Sequence, residues 1–195
     1  EGLFNMLKDL RRREAKRLNV PPYVIFQDPS LEDMAIQYPV SMEDMAKVSG
    51  VSIGKATRYG KAFVELIRKY VEENEIERPS EVVVKQMANK SKAKVNIIQN
   101  IDRKISLDDV ARATGLNMDE LMDELDAIVE SGTKVNIDYY LEDALDEAVR
   151  EDIYDYFMQS DTDDIKAAYK DLREDEVTME EIRLVRIKFL SEMAN

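Results

Sequence analysis

The sequence contains no cysteine, no histidine and no tryptophan. Without thiolates or imidazoles, the chain cannot build disulfides, zinc sites with Cys or His ligands, Ser-His-Asp triads or Cys-His pairs. Long apolar runs are also missing, so no segment predicts a membrane-spanning helix and we expect no membrane partner. A lack of cysteine is typical of a reducing compartment, and we therefore expect a cytoplasmic protein.

Positive and negative charges are distributed unevenly along the chain. Residues 1–74 hold 12 Lys/Arg and 11 Asp/Glu, whereas residues 75–104 hold 7 and 4. Residues 105–195 hold 9 and 26, a net charge of −17. The total net charge is only −13 because residues 1–104 are net positive. An asymmetry of this size favours two modules with different partners.

Prolines are few, five in all, but two of them are adjacent. Pro21 and Pro22 remove two backbone donors and fix φ, so the helix before them is predicted to end at about Asn19. Tyr23 follows directly, ahead of the apolar residues 24–26. We predict that this rigid turn presents an exposed Tyr23 ring between two basic helices. Such a ring favours stacking on a nucleobase.

Basic side chains cluster on the helices before and after this turn. The first group lies in the last turns of the first helix, and the second lies near the start of a long helix predicted over 56–74. Two explanations fit the first group, since cations offset the macrodipole at a helix C-terminus and also form a phosphate-facing patch. The candidate phosphate contacts are Arg13, Lys16, Arg17, Lys55, Arg58 and Lys61.

Capping residues predict where other helices begin. Residues 140–158 read as one helix, and residues 134–139 as a short strand or wing. The last helix, through about Met193, holds too many apolar residues for one stripe, which predicts packing on two sides. The predicted caps are Ser30, Ser41, Ser106, Asn117 and Thr178, the last with Glu181 in a capping box.

A specific combination of motifs marks the first 75 residues. The chain contains NVPPYVIF within LFNMLKDLRRREAKRLNVPPYVIFQDPSLEDMA, then a Gly-Val turn and Tyr59-Gly60-Lys61 within YPVSMEDMAKVSGVSIGKATRYGKAFVELIRKYV. Residues 2–73 thereby closely resemble the HRDC domain (helicase-and-RNase-D C-terminal) of bacterial RecQ DNA helicases. The resemblance implies a helical auxiliary module that binds DNA, preferring single strands, behind a separate ATPase core. The functional tyrosine of that family's Pro-Pro-Tyr turn corresponds to Tyr23.

One position departs from that family. Its turn usually reads Gly-Val-Gly, which resembles the helix-hairpin-helix motif whose backbone N–H groups point at a phosphate. Here Ser52 replaces the second glycine, and glycine returns at Gly54. A positive φ at residue 52 would strain a serine. Two interpretations of the loop are open, a phosphate contact and a plain helix connector.

A second motif lies in the acidic half of the chain. Residues 105–117 have the form of a helix-turn-helix, with the tight turn at Gly115. This part resembles, less closely, the winged-helix-like domain that follows the HRDC domain in some RecQ proteins. The second helix holds six carboxylates and no Lys or Arg, and carboxylates repel phosphates, so we predict a scaffold or a protein-binding face instead of major-groove recognition. The six are Asp119, Glu120, Asp123, Glu124, Asp126 and Glu130.

No motif in this segment predicts catalysis. Residues 161–164 lack the glycine and final glutamate of a calcium loop, and no spacing brings carboxylates together for two metals. Residues 54–56 lack the glycine spacing and the hydroxyl of a phosphate-binding loop. We therefore predict no catalytic residue, no metal site and no cofactor here. ATP and Mg are expected only in the helicase core of a parent protein.

The sequence as a whole predicts an all-α chain, with a small HRDC-like bundle at 1–75, a linker at 76–92 and an acidic, winged-helix-like helical domain at 93–195. Because residue 1 is Glu, we expect a fragment of a longer polypeptide. The predicted function is an auxiliary, nucleoid-associated DNA-binding and regulatory region of a RecQ-like helicase, with mainly single-stranded DNA as partner and a protein partner for the acidic domain. Two alternatives are open: the C-terminal module of a ribonuclease-D-type exonuclease, and a pure protein-interaction module.

Overall fold

The computed structural model describes residues 2–78 and 92–193 of the chain. It is 75% helical, and no strand occurs in either described range, which confirms the predicted all-α class. None of the helices in these ranges is long and apolar enough to cross a membrane. The chain divides into two compact units, Glu1–Met87 and Ala88–Asn195. The linker predicted at 76–92 falls mostly outside the described residues.

The first unit is a bundle with five helices within its described residues. Their order is α1 (Gly2–Leu18), α2 (Pro22–Ile25), α3 (Asp28–Gln37), α4 (Met42–Ala46) and α5 (Ile53–Glu73). Helix α1 packs against α2, α3 and α5, and α4 packs against α5. The core is closed by three rings, since Phe26 lies edge-on to Phe63 at 4.9 Å and to Tyr59 at 6.5 Å between ring centroids. This single apolar core fixes the positions of the two basic helices, α1 and α5.

Two helix starts in this unit differ from the sequence predictions. Ser30 does not cap α3, because the helix already begins at Asp28 and the buried Ser30 hydroxyl instead donates to the Ser49 carbonyl at 2.8 Å. Helix α5 begins three residues earlier than predicted, at Ile53, with Ser52 as its cap. The cap at Ser41 is confirmed by its hydrogen bond from the Asp44 amide.

The second unit contains seven α-helices within its described residues. They are α6 (Lys92–Asp102), α7 (Leu107–Thr114), α8 (Met118–Glu130), α9 (Asp138–Ala144), α10 (Glu147–Gln159), α11 (Ile165–Leu172) and α12 (Met179–Met193). The predicted caps at Ser106 and Asn117 are confirmed, as is the left-handed Gly115 that separates α7 from α8. The single helix predicted over 140–158 is wrong, because the chain turns through an extended Leu145 between α9 and α10.

The last helix forms the centre of the second unit. Thr178 and Glu181 form the predicted capping box at its start. Helix α12 packs against α8, α9, α10 and α11, so the prediction that it packs on more than one side is confirmed. Its buried residues are Ile182, Leu184, Val185, Ile187, Phe189, Leu190 and Ser191.

No strand forms where a wing was predicted. Residues 133–137 are irregular, and their backbone is held by a side chain of α12. The buried Ser191 hydroxyl donates to the Val135 carbonyl and accepts from the Val135 amide, both at 2.9 Å. One serine thus satisfies the backbone donor and acceptor that a neighbouring strand would otherwise have paired.

Candidate nucleic-acid interface

The ring of Tyr23 does not lie where the sequence predicted it. Residues 22–25 form the helical turn α2, and Tyr23, Val24 and Ile25 all point inward. Only 8% of Tyr23 is exposed. Stacking requires an open ring face, so the prediction of an exposed Tyr23 platform is wrong. The role of Tyr23 in DNA binding that the family resemblance implies stays a prediction.

The basic residues predicted on α1 are exposed. Arg13, Lys16 and Arg17 all face solvent, and at 100° per residue they share one side of the helix. Arg17 pairs with Glu14 at 2.7 Å, whereas Arg13 and Lys16 form no ion pair within the described residues. Two full positive charges on α1 are therefore available to an anionic ligand.

The basic residues predicted on α5 lie in its first two and a half turns. Lys55 is half-buried, whereas Arg58 and Lys61 are exposed. The Arg58 guanidinium lies 5.3 Å from the centroid of the Tyr59 ring. Burial raises the pKa of the Tyr59 phenol, and the Arg58 charge opposes that shift. No acidic residue lies in the first turn of α5, so the positive end of its helix dipole adds to these charges.

Helices α1 and α5 run antiparallel. A Cβ on Gly2 would lie 3.5 Å from the Tyr70 hydroxyl, and Arg13 lines a shallow groove with Leu66. The two basic groups occupy the C-terminal part of α1 and the N-terminal part of α5. An antiparallel pair brings those parts to the same end of the bundle, so we infer that both groups lie towards one end of the first unit.

The turn between α4 and α5 is fixed by α3. The Ser49 amide donates to Asp33 at 2.7 Å, and Ser30 holds the Ser49 carbonyl. Gly50 takes the left-handed conformation, with φ of +73°. Ser52, in contrast, has φ of −80° and accepts a hydrogen bond from the Lys55 amide at 3.0 Å. The strain considered for a serine at position 52 is therefore absent, and one amide of the α5 N-terminus is already paired.

A substitution of Gly50 tests how tightly this turn is held, and the left-handed Gly115 of the second unit provides a comparison. We expect Gly50→Ala to destabilise the first unit by about 2–3 kcal/mol, since the new Cβ adds a clash to the backbone strain. That Cβ would lie 2.7 Å from the Ser30 hydroxyl. Gly115→Ala, at the same φ but with no described heavy atom within 4 Å, should cost the second unit about 1 kcal/mol. Hydrogen exchange at increasing urea concentration measures the loss of stability in both variants, and equal losses would contradict the clash at Gly50.

The helix-turn-helix of the second unit presents a different surface. The apolar side of α8 is buried, and its exposed side carries Glu120, Asp123, Ala127 and Glu130. Another flank of α8 is bound by α12, where Arg183 contacts Asp123 at 2.6 Å and Asp126 at 3.1 Å. A helix with carboxylates on its open side repels phosphates, and the absence of major-groove recognition stays a prediction.

Sequence reasoning missed one exposed residue beside the α5 cations. The sequence predicts the long helix only from residue 56, but Ile53 is the first residue of α5 and 78% of it is exposed. Recognising Ser52 as the helix cap would have placed Ile53 at the open end of the helix. Within the described residues, no group of three or more Asp or Glu is arranged to hold a metal ion.

Models of two domain families match the chain. The HRDC domain matches residues 1–67, and the RecQ-1-like helix-turn-helix domain matches residues 91–141. These two matches confirm the resemblance to the C-terminal region of RecQ helicases. The HRDC domain corresponds to the bundle of α1 to α5, and the helix-turn-helix domain to α6, α7, α8 and the start of α9.

Curated relatives match a part of the chain. An ATP-dependent DNA helicase RecQ of Haemophilus influenzae is 38% identical over 70 residues, which is 36% of this chain and 11% of the relative. The RecQ helicase of Bacillus subtilis is 34% identical over 70 residues, or 12% of its length. A bifunctional 3'-5' exonuclease/ATP-dependent helicase WRN of Mus musculus is 38% identical over 55 residues, or 4% of its length. The chain thus spans about a tenth of the bacterial relatives it matches.

Proposed function

We propose that this chain is the auxiliary DNA-binding region of a RecQ-like, ATP-dependent DNA helicase, and that its HRDC domain holds mainly single-stranded DNA. The observation that carries the proposal is that exposed basic side chains lie in the C-terminal part of α1 and in the N-terminal part of α5, two parts that an antiparallel pair brings to the same end. Arg13, Lys16 and Lys61 have no ion pair among the described residues. Neutralising phosphates with such side chains supplies most of the affinity of non-specific DNA binding.

The curated relatives support a helicase parent. Two of them are RecQ helicases, and the chain shares with RecQ proteins both an HRDC and a helix-turn-helix domain. The alternative of a ribonuclease-D-type exonuclease draws on the HRDC domain alone. The helix-turn-helix match favours the helicase, because it adds a second domain of the RecQ type.

For the acidic unit we propose a protein-contacting role in place of DNA contact. Glu147, Glu151 and Asp155 follow each other at four-residue spacing on the exposed side of α10. None of the three has an ion pair within the described residues. Like charges at this spacing destabilise a helix by about 0.2–0.5 kcal/mol per pair, a cost that a basic protein partner would remove.

The salt dependence of DNA binding tests the basic interface. Fluorescence anisotropy of labelled oligo(dT) should give a falling affinity for the wild-type chain between about 50 and 200 mM NaCl. A variant with Arg13, Lys16 and Lys61 changed to Ala should bind more weakly. We also expect its plot of log K against log salt concentration to be less steep, by up to about 2 in slope, at roughly 0.7 for each lost phosphate contact.

Two control variants test whether the change in salt dependence is specific to the basic interface. Lys69→Ala removes an exposed cation of α5 that lies towards the other end of the helix and pairs with Glu73, so it should leave the slope unchanged. Replacing Glu147, Glu151 and Asp155 by their amides should also leave it unchanged. A salt-insensitive affinity of the wild type, or equal slopes for Lys69→Ala and the triple basic variant, would contradict the proposed interface.

A further inference from the structure

Ile53 is the most exposed large hydrophobic residue in the described part of the chain, at 78%. A single exposed apolar side chain is common on protein surfaces and needs no explanation by itself. The neighbours of this one are unusual, because it opens the helix that carries Lys55, Arg58 and Lys61 and whose first turn holds no acidic residue. An apolar contact therefore lies beside the positive charges assigned to DNA phosphates.

The periodicity of α5 places Ile53 on one face with Lys61. Ile53, Thr57 and Lys61 follow each other at four-residue spacing and are all exposed, and residues at that spacing are neighbours on a helix surface. The Thr57 hydroxyl donates to the backbone carbonyl of Ile53 at 2.9 Å, and the Ile53 side chain is exposed. Ile53 and Lys61 are eight residues apart, or about 12 Å along the helix axis. The face thus combines an apolar end with a cationic end.

We propose that Ile53 covers the face of an unpaired nucleobase in single-stranded DNA while Lys61 contacts a phosphate of the same strand. This inference rests on the proposed DNA-binding function. In a duplex the faces of the bases are stacked on each other, so an apolar side chain reaches only the groove edges, whereas a single strand offers open faces. Ile53 supplies the apolar base contact that the buried Tyr23 ring does not offer.

Ile36 provides a matched control within the same domain. It is an isoleucine of α3 that is 67% exposed, and α3 carries none of the six candidate cations. Ile53→Ala and Ile36→Ala remove the same atoms from two exposed helical sites, so both variants should fold and melt like the wild type. Circular dichroism of the full chain checks this before DNA is added.

The test titrates the full chain into labelled oligo(dT) of about 15 nucleotides at several NaCl concentrations. We expect Ile53→Ala to weaken binding about fivefold, near the lower end of the range for base stacking on aromatic side chains, without changing the salt slope. Lys61→Ala should lower the slope by about 0.7, and Ile36→Ala should change neither quantity. On an oligonucleotide of abasic sites, Ile53→Ala and the wild type should bind equally.

Three outcomes would overturn the inference. An unchanged affinity of Ile53→Ala for oligo(dT) would remove Ile53 from the interface. An equal loss on abasic DNA would show that the contact is not with a base, and an equal loss in Ile36→Ala would show that it is not local to α5. A wild type that bound DNA without salt dependence would contradict the proposed function itself. Failure of the Ile53 inference and failure of the proposed function therefore give different results.

Discussion

Tyr23→Ala is expected to destabilise the HRDC domain by about 3 kcal/mol, the cost of truncating an aromatic residue inside a core. The ring is 8% exposed and lies in a helical turn whose neighbours Val24 and Ile25 are completely buried. Its loss leaves a cavity between α2 and the rest of the bundle, which packed side chains refill only in part. Hydrogen exchange of amides in α1 and α5 at increasing urea concentration measures the change.

Tyr23→Phe separates the contribution of the Tyr23 ring to stability from that of its hydroxyl. It keeps the buried ring, so we expect a loss of stability below about 1.5 kcal/mol. Tyr23→Ala should also lose DNA affinity only to the extent that the domain unfolds, because an inward ring has no open face for a base. A folded Tyr23→Ala domain of wild-type stability that binds oligo(dT) several-fold more weakly would contradict the buried position and restore stacking on Tyr23.

Local signals made the helix boundaries predictable. The caps at Ser41, Ser106, Asn117 and Thr178 are confirmed because a side-chain oxygen and an amide three residues later interact wherever the rest of the chain lies. Ser30 has the same local signal and failed. A distant partner, the carbonyl of Ser49, holds its hydroxyl instead, and a distant partner of that kind has no signature in the local sequence.

The orientation of Tyr23 was not predictable for a similar reason. An extended segment after Pro22 would point alternate side chains to opposite sides. The chain instead forms one helical turn, so consecutive residues point into the same core. Pro22 at the first position favours this turn, and the packing of α2 against α1 and of Phe26 against Phe63 buries its side chains. The exposure of Ile53 could be foreseen only once Ser52 was recognised as the cap of α5.

The break between α9 and α10 shows a further limit of the sequence signal. Residues 144–147 contain neither proline nor glycine, and the apolar spacing continues across them. The extended Leu145 is nevertheless buried, so its place in the core is retained while the helix direction changes. Tertiary packing here overrides a local helical preference.

The largest effect in the second unit is expected from the arginines that join α12 to α8. Arg186 contacts Asp126 at 3.0 Å and donates to the Asp163 carbonyl at 2.9 Å. The side chains of Arg186 and Asp126 are each only 16% exposed. Breaking a buried ion pair costs about 3–5 kcal/mol, because one charge stays buried without its partner. Arg183 remains on Asp126, so we expect Arg186→Ala to cost about 2 kcal/mol, measured by hydrogen exchange in α8 and α12.

Further variants test whether the loss of stability comes from the buried carboxylate of Asp126. Replacing Arg183 and Arg186 together by Ala leaves Asp126 with no cation in contact, so the loss should reach about 4 kcal/mol and exceed the sum of the single losses. Arg112→Ala, which breaks an exposed pair with Asp109 on α7, should change stability by less than about 0.5 kcal/mol. If Asp126→Leu, combined with Arg183→Ala and Arg186→Ala, failed to recover part of the loss, the origin of the loss in an unpaired buried charge would be wrong. Recovery is expected because the apolar side chain at position 126 removes the buried charge, while Asp123 stays exposed to solvent.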